Sequence, residues 1–234
     1  MIHNGDFLAS LSDGARTALE PFLSEVTMER GSTVARSHAK LQAAFFPIDL
    51  TFAVAIESKS HASFCTGFIG SDGLLGAGLS LDDRVCLYGV SVVTSGRAFT
   101  LPMSRLKDLL LQVPELRKRA LAYDQFFLAQ VQQTAACGAL HELPGRLSSC
   151  LMRLRAHAGN ELNLTQSELA QMLGVRRTSV TESALALQRA GAIGYHRGAI
   201  SLLSARKLRA TSCGCHEEIE THYARLFNAS FDDD

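Results

Sequence analysis

The sequence predicts an α+β chain: an N-terminal run of short strands, one long helix, and a C-terminal helical module closed by a β-hairpin. Three observations lead there. Between residues 31 and 102, runs rich in Phe, Val, Ile and Thr alternate with Gly, Asp and Ser, the texture of a β-roll or sandwich. Residues 103–141 contain a single proline, Pro114, and otherwise read as helix. Residues 164–193, LTQSELAQMLGVRRTSVTESALALQRAGAI, set two amphipathic segments around a central glycine.

At 234 residues the chain has room for two modest domains, and 47% hydrophobic with 20% charged residues places it among globular proteins. No apolar run is long enough to span a bilayer. The opening MIHNGDFLAS lacks a basic region followed by an apolar one, so a cytoplasmic protein without a membrane partner is expected. Cys65, Cys86, Cys137, Cys150, Cys213 and Cys215 show no disulfide-scaffold spacing, and reduced thiols are the expectation. TSCGCHEE (211–218) reads as a Cys-x-Cys-His fragment of a metal site. No second ligand group stands at a zinc-finger spacing, and no N-terminal cysteine cluster suggests iron–sulfur chemistry, so no metal site is assigned.

Zero net charge hides a segregation. Residues 144–210 carry ten Arg and Lys against three acids, whereas the rest of the chain is acidic and its last 24 residues are net −5. A basic module inside a neutral chain is an electrostatic footprint for a polyanion.

In chain order, residues 1–30 read as a helical lead-in, with Ser12 or Asp13 as cap and apolar spacing through Leu19 and Leu23. AAFFPIDLTFAVAI, ASFCTGFIG, RVCLYGVSVV and RAFTLP supply the strands of a domain over 1–102. A segment over 103–142 follows, its long helix started by Pro114 at the first turn. Leu116, Tyr123, Gln130 and Cys137 recur there every seven residues, with Ala120, Phe127, Thr134 and His141 four later in each heptad. A seam for a second copy is expected from Leu116, Ala120, Tyr123, Phe127, Gln130 and Thr134, the alternative being a helix packed on its own β domain. Pro144-Gly145 breaks the helix, and RLSSCLMRLRAHAG resumes it up to Gly159. The basic module spans 143–210, and a helical, acidic tail occupies 211–234.

Within the module, Thr165 and Glu168 have capping-box spacing, and Leu169, Ala170 and Leu173 make an inward stripe. Gly174 suits a left-handed turn. Val180, Ala184 and Leu187 then face the core, leaving Arg177, Thr178, Thr181 and Glu182 outward near the second helix's start. Helix, glycine turn and helix is the helix-turn-helix layout, whose second helix enters the major groove. Arginine pairs with guanine O6 and N7, glutamate accepts from cytosine N4, and threonine meets phosphates or a thymine methyl. IGYHRGAISLL adds two short strands about Arg197-Gly198, a basic wing that lays His196 and Arg197 beside the phosphate backbone.

LTQSELAQMLGVRRTSVTESALALQRAGAIGYHRGAISLL resembles the C-terminal winged helix of the cyclic-AMP receptor / fumarate–nitrate regulator (Crp/Fnr) family of bacterial transcription regulators. The order of β-rich region, long helix and winged helix resembles that family across nearly the whole chain. The resemblance implies a jelly-roll, cyclic-nucleotide-binding-like sensor domain, homodimerisation through the long helix, a pseudo-palindromic double-stranded DNA operator, and RNA polymerase as a partner. Arg177 would then read a guanine and Thr178, Thr181 and Glu182 would tune neighbouring bases. Arg176, Arg189, Arg197, Thr165 and Ser179 would position the backbone.

Departures from the family pattern are informative. Its recognition helix commonly reads Arg-Glu-x-x-x-Arg, and RTSVTE keeps Arg177 but has Thr178 and Glu182 at the other two positions. Cyclic-nucleotide binders resemble Phe-Gly-Glu followed by Arg-Ser/Thr-Ala. Here Gly70 precedes Ser71 and Arg84 precedes Val85, so an effector site at Gly70, Ser71 and Arg84 is weakly supported, cyclic AMP is not the expected controller, and no cofactor is assigned. Haem, metal or redox sensing through His61, Cys65 or Cys86 is the alternative within the same fold, and a winged helix used only for protein contacts is another. An enzyme is not expected: Ser104-x-x-Lys107 lacks its companion motifs, His141-Glu142 lacks the second histidine of a metalloprotease helix, and no phosphate-binding loop is present.

Overall fold

A computed structural model describes residues 7–57, 63–79, 85–196 and 198–227. They fall into two units, Met1–Asp124 with Ala156–Ala158 and Gln125–Arg155 with Gly159–Asp234.

In the first unit, α1 (Asp13–Leu19) begins where the Ser12 hydroxyl accepts from the Ala15 amide, as the sequence predicts. It ends sooner than the apolar spacing suggests, because Pro21 opens a short 3₁₀ turn over Glu20–Phe22. The lead-in expectation is corrected beyond it: Ser24–Met28 is strand β1, paired antiparallel with Gly96–Thr100 from Ser24↔Thr100 to Met28↔Gly96. β1 is an edge strand whose outward positions are polar, which weakens its apolar signature.

β2 (Thr33–Ala35), β3 (Ala43–Pro47), β4 (Thr51–Glu57), β5 (Ser63–Ile69), β6 (Gly89–Thr94) and β7 (Gly96–Pro102) complete two antiparallel sheets, ordered β1-β7-β3 and β2-β6-β4-β5. Phe52 pairs with Ile69 on one side and Val92 on the other, and Val54 with Gly67 and Val90, so the central strand β4 is apolar on both faces at its start. Phe46, Phe52, Leu50, Leu75 and Leu101 are fully buried, each worth about 1.5–3 kcal/mol of transfer free energy. Of the run RVCLYG, the described residues 85–89 are strand only from Gly89. Before it, Cys86 exchanges backbone bonds with His38 (2.6 Å) and Ala39 (2.9 Å) and is fully buried. At the β6–β7 corner a Cβ on Gly96 would lie 2.6 Å from the Asp49 carbonyl, so the chain turns there only with glycine. Asp49 also accepts from the Arg97 side chain at 3.0 Å, and that cation and the Arg97 amide outweigh burial to hold its carboxyl below the usual range.

α2 (Met103–Gln112) and α3 (Pro114–Leu140) follow, the second starting at the expected proline. Residues of α3 up to Asp124 belong to the first unit and those from Gln125 to the second. Early in α3, Glu115 accepts from the Ser12 amide at 2.7 Å.

α4 (Leu143–Ala158), whose residues up to Arg155 belong to the second unit, starts with Pro144 in its first turn and ends at Gly159, φ 78°. Leu147, Leu151 and Leu154 are fully buried along one face of it. β8 (Glu161–Leu162), β9 (Ile193–His196) and β10 (Ala199–Leu202) form a sheet ordered β8-β10-β9, with α5 (Gln166–Leu173) and α6 (Arg177–Arg189) between β8 and β9. α7 (Ala205–Thr211) and α8 (Cys215–Phe227) close the described chain, so the expected tail boundary at 210/211 cuts through a helix. α8 buries Cys215, Ile219 and Tyr223, spaced four apart, and the Tyr223 ring meets Phe126 edge-on at 5.1 Å. Among the described residues no helix is long and apolar enough to cross a membrane.

Candidate nucleic-acid interface

Thr165 caps α5. Its hydroxyl accepts from the Glu168 amide at 3.2 Å, while the Glu168 carboxylate accepts from the Thr165 amide at 2.7 Å, completing the expected capping box. The same hydroxyl donates to Glu168 at 2.7 Å, so in the free chain its proton is engaged within the protein. Thr165→Ala is expected to destabilise the second unit by about 1 kcal/mol in denaturant titration; an unchanged midpoint would remove the box from the stabilising contacts.

Gly174 ends α5 at φ 64°, ψ 38°, the left-handed conformation that suits glycine best. The Val175 amide reaches back to the Ala170 carbonyl at 3.0 Å, and the Arg146 guanidinium caps the Leu173 carbonyl at 2.6 Å. These bonds satisfy the carbonyls at the end of α5 and fix where α6 starts.

α6 buries Val180, Ala184 and Leu187, the expected stripe, and also Ser183. Arg176, Arg177, Thr178, Glu182 and Arg189 are exposed, and Ser179 is half-buried. Arg176 occupies the cap position without a side-chain cap bond, and no acid stands in the first turn. The helix therefore presents its opening amides and positive dipole end beside two arginines, an arrangement that favours an anion. Thr181 departs from expectation: its hydroxyl donates to Gln166 Oε1 at 2.6 Å and lies 3.0 Å from the Arg177 carbonyl, so its one proton is spent on holding α6 to α5. Gln166 is the residue that sequence reasoning passes over. Its amide also donates to the Tyr195 hydroxyl at 3.3 Å, joining α5 to the wing, and its only signal is its place directly after the capping threonine.

The wing is the β9–β10 hairpin, with Ala199↔His196 its outermost pair and His196 exposed. Arg197 and Arg84 lie outside the described residues, as does His61.

The expected dimer seam is corrected at four of its six positions. Leu116, Ala120, Tyr123 and Gln130 are all buried within one chain. Tyr123 packs edge-on against Phe7 at 6.2 Å, and the Gln130 side chain and the Thr134 hydroxyl both accept from Arg153, the latter at 3.0 Å. Phe127 and Thr134 are half-buried. Leu121 and Leu128, seven residues apart, are large apolar side chains that α3 leaves outward, at 52% and 56% exposure, as is Leu140 at its last position.

Gly70 and Ser71 follow β5. A Cβ on Gly70 would lie 2.2 Å from His157 Nδ1, and one on Gly73 2.1 Å from the Tyr123 hydroxyl, so the chain's own side chains fill the space against this turn. Asp72 is buried there, and burial raises its carboxyl above the ordinary range despite His157 3.8 Å away. Cys65 and Cys86 are buried, with the Cys65 thiol donating to the Gly67 carbonyl at 3.3 Å, as core strand and loop residues do.

Residues 145–211 match the Crp-like helix-turn-helix domain family. No curated protein matches the chain in sequence. Among solved structures, it is similar to TTHA1359, a Crp/Fnr-family transcriptional regulator of Thermus thermophilus, at 20% identity and TM-score 0.67, over 83% of this chain and 98% of that one. It is similar to the c-di-GMP-responsive global regulator CLP of Xanthomonas campestris at 14% identity and TM-score 0.69, over 82% and 100%. FixK2 of Bradyrhizobium japonicum aligns at 10% identity and TM-score 0.69, over 82% and 98%. At these identities the likeness is one of fold.

Proposed function

Given a Crp-like helix-turn-helix domain in a chain that shares the fold of a Crp/Fnr regulator, we propose that this protein is a transcription regulator that binds a pseudo-palindromic operator as a homodimer and is not controlled by cyclic AMP. The observation that carries the reading is α6, which aligns an uncapped N-terminus, exposed Arg176 and Arg177, and exposed Thr178 and Glu182 on a basic module. Arg177 reads a guanine, Thr178 and Glu182 tune its neighbours, and Arg176, Ser179, Arg189, His196 and Arg197 hold the phosphates. Leu121 and Leu128 supply the apolar contact between copies in place of Leu116, Ala120, Tyr123 and Gln130, already buried within the chain. Ser71 at the position of the family's ribose-binding glutamate, and a turn filled by His157 and Tyr123, support control by something other than a cyclic nucleotide. A cytoplasmic location and contact with RNA polymerase belong to the same reading.

Selection of bound sequences from random duplexes, with and without cyclic AMP, tests it. Two inverted half-sites should emerge, each with a guanine, with centres about 34 Å apart or a multiple of that, and with the same sequence in both arms. A single half-site would refute the dimer, no enrichment would refute specific binding, and enrichment only with cyclic AMP would refute the effector assignment.

A further inference from the structure

Away from α6, the second unit gathers four metal-ligating side chains that the sequence holds far apart. Cys137 stands on the last turn of α3 and His141 one turn later, directly after the helix, with Cys137 buried and His141 exposed. Cys213 and Cys215 flank Gly214, whose φ of 81° bends the α7–α8 turn so that both thiols face α3. The Cys137 and Cys213 sulfurs are 3.5 Å apart, and the Cys215 sulfur is 3.4 Å from His141 Nδ1. All four ligand atoms lie within 4.8 Å of one another.

A tetrahedron with metal–sulfur bonds of about 2.3 Å and a metal–nitrogen bond of about 2.0–2.1 Å has edges of about 3.5–3.8 Å; the Cys137–Cys213 and Cys215–His141 contacts of 3.5 and 3.4 Å sit close to that, and the remaining pairs lie within 4.8 Å. We propose that Cys137, His141, Cys213 and Cys215 form a four-coordinate site for a thiophilic divalent cation of the zinc class. Three sulfurs and one imidazole exclude the oxygen-seeking ions, and four protein ligands leave no open position, the pattern of a structural rather than a catalytic centre. Binding releases the three thiol protons, and the neutral imidazole donates its Nδ1 lone pair. Donors already surround the sulfurs: the Gln133 side chain donates to Cys215 at 3.3 Å, and the Cys215 amide and Ser149 side chain bond Cys213. Such bonds orient thiolates around an ion and spread their charge. His216, the histidine of the Cys-x-Cys-His run, is not a ligand. It is buried with its Nδ1 3.0 Å from the Ser212 hydroxyl.

The two ligand pairs bracket the DNA-binding module in the chain, one just before α4 and the other just after α7. An ion here joins the entry and exit of that module, independently of whatever sequence α6 reads.

The test uses the full chain, purified reduced, stripped with a chelator and titrated with Zn²⁺ or Co²⁺. One equivalent per chain is expected, with Co²⁺ giving the intense visible bands of a tetrahedral thiolate site and Zn²⁺ raising the thermal midpoint. Cys213→Ser should lose the uptake, His141→Ala should change the cobalt spectrum, and Cys86→Ser, in the other unit, should retain both. Circular dichroism confirms that each variant is folded, and uptake by the unaltered chain decides the matter if one is not. No uptake by the reduced chain overturns the proposal, as does unchanged uptake in folded Cys213→Ser. A Cys137–Cys213 disulfide in the isolated protein, with no uptake after reduction, overturns it in favour of a thiol pair.

Discussion

Arg177→Ala is expected to weaken operator binding by about 1–3 kcal/mol, roughly 5- to 150-fold, and to leave binding to random duplex nearly unchanged. Arg177 is the first residue of α6 and is exposed, so its fork is available to a base edge, and truncation leaves that edge without a partner. The measurement is fluorescence anisotropy at one fixed salt concentration, on the selected operator, on versions with the guanine replaced, and on random DNA. The variant should lose discrimination at that one base pair in each half-site. Arg176→Ala provides the contrast: it should weaken all duplexes alike and lower the salt slope by about one unit. If Arg177→Ala weakens operator and random DNA equally, Arg177 is a phosphate contact and not a reader.

The second large effect concerns stability and pH. Asp124 on α3 accepts from the Gly78 amide, but burial outweighs that bond and raises its carboxyl to about 6. A carboxyl raised above its unfolded value of about 3.9 is protonated more readily in the folded chain than in the unfolded one. Its contribution to stability is therefore fully present below pH 4 and is lost as pH rises through about 6. Asp124→Asn removes the charge while keeping an acceptor for Gly78, and is expected to stabilise the protein by about 1–3 kcal/mol at pH 7.5 and by little at pH 4. Urea titrations of both proteins between pH 4 and 7.5 give the difference curve. Parallel pH profiles, or a variant less stable at neutral pH, would show that the buried carboxylate is compensated.

The helix-turn-helix was legible because its signals are local. Thr165 with Glu168, Gly174, and the stripe of Val180, Ala184 and Leu187 each lie within a few residues of the group they satisfy. The start of α3 at Pro114 and the end of α4 at Gly159 were legible for the same reason. The strand β1 was hidden because an edge strand with polar outward positions lacks a strong apolar period. On α3, a heptad marks an apolar face but not what covers it. Tyr123 and Gln130 meet their own chain, while Leu121 and Leu128 stay outward. Cys137 and Cys213 are 76 residues apart, so no spacing rule joins them and only the packing of α3 against the α7–α8 turn does.

The bond from Thr181 to Gln166 bears on the information an operator carries. On the reading proposed above, with its proton committed inside the protein, Thr181 offers a base no hydroxyl donor, and hydrogen-bond reading in each half-site would narrow to Arg177, Thr178 and Glu182. Each well-read base pair contributes about 1–3 kcal/mol of discrimination, so the loss of one reader is felt across a whole genome of competing sites. The column of the selected sequences facing Thr181 should show no hydrogen-bond preference, with at most a bias toward a thymine methyl, and the two arms together should tolerate more variants than four hydrogen-bonding readers would permit. The bond thus holds α6 to α5 in a fixed register.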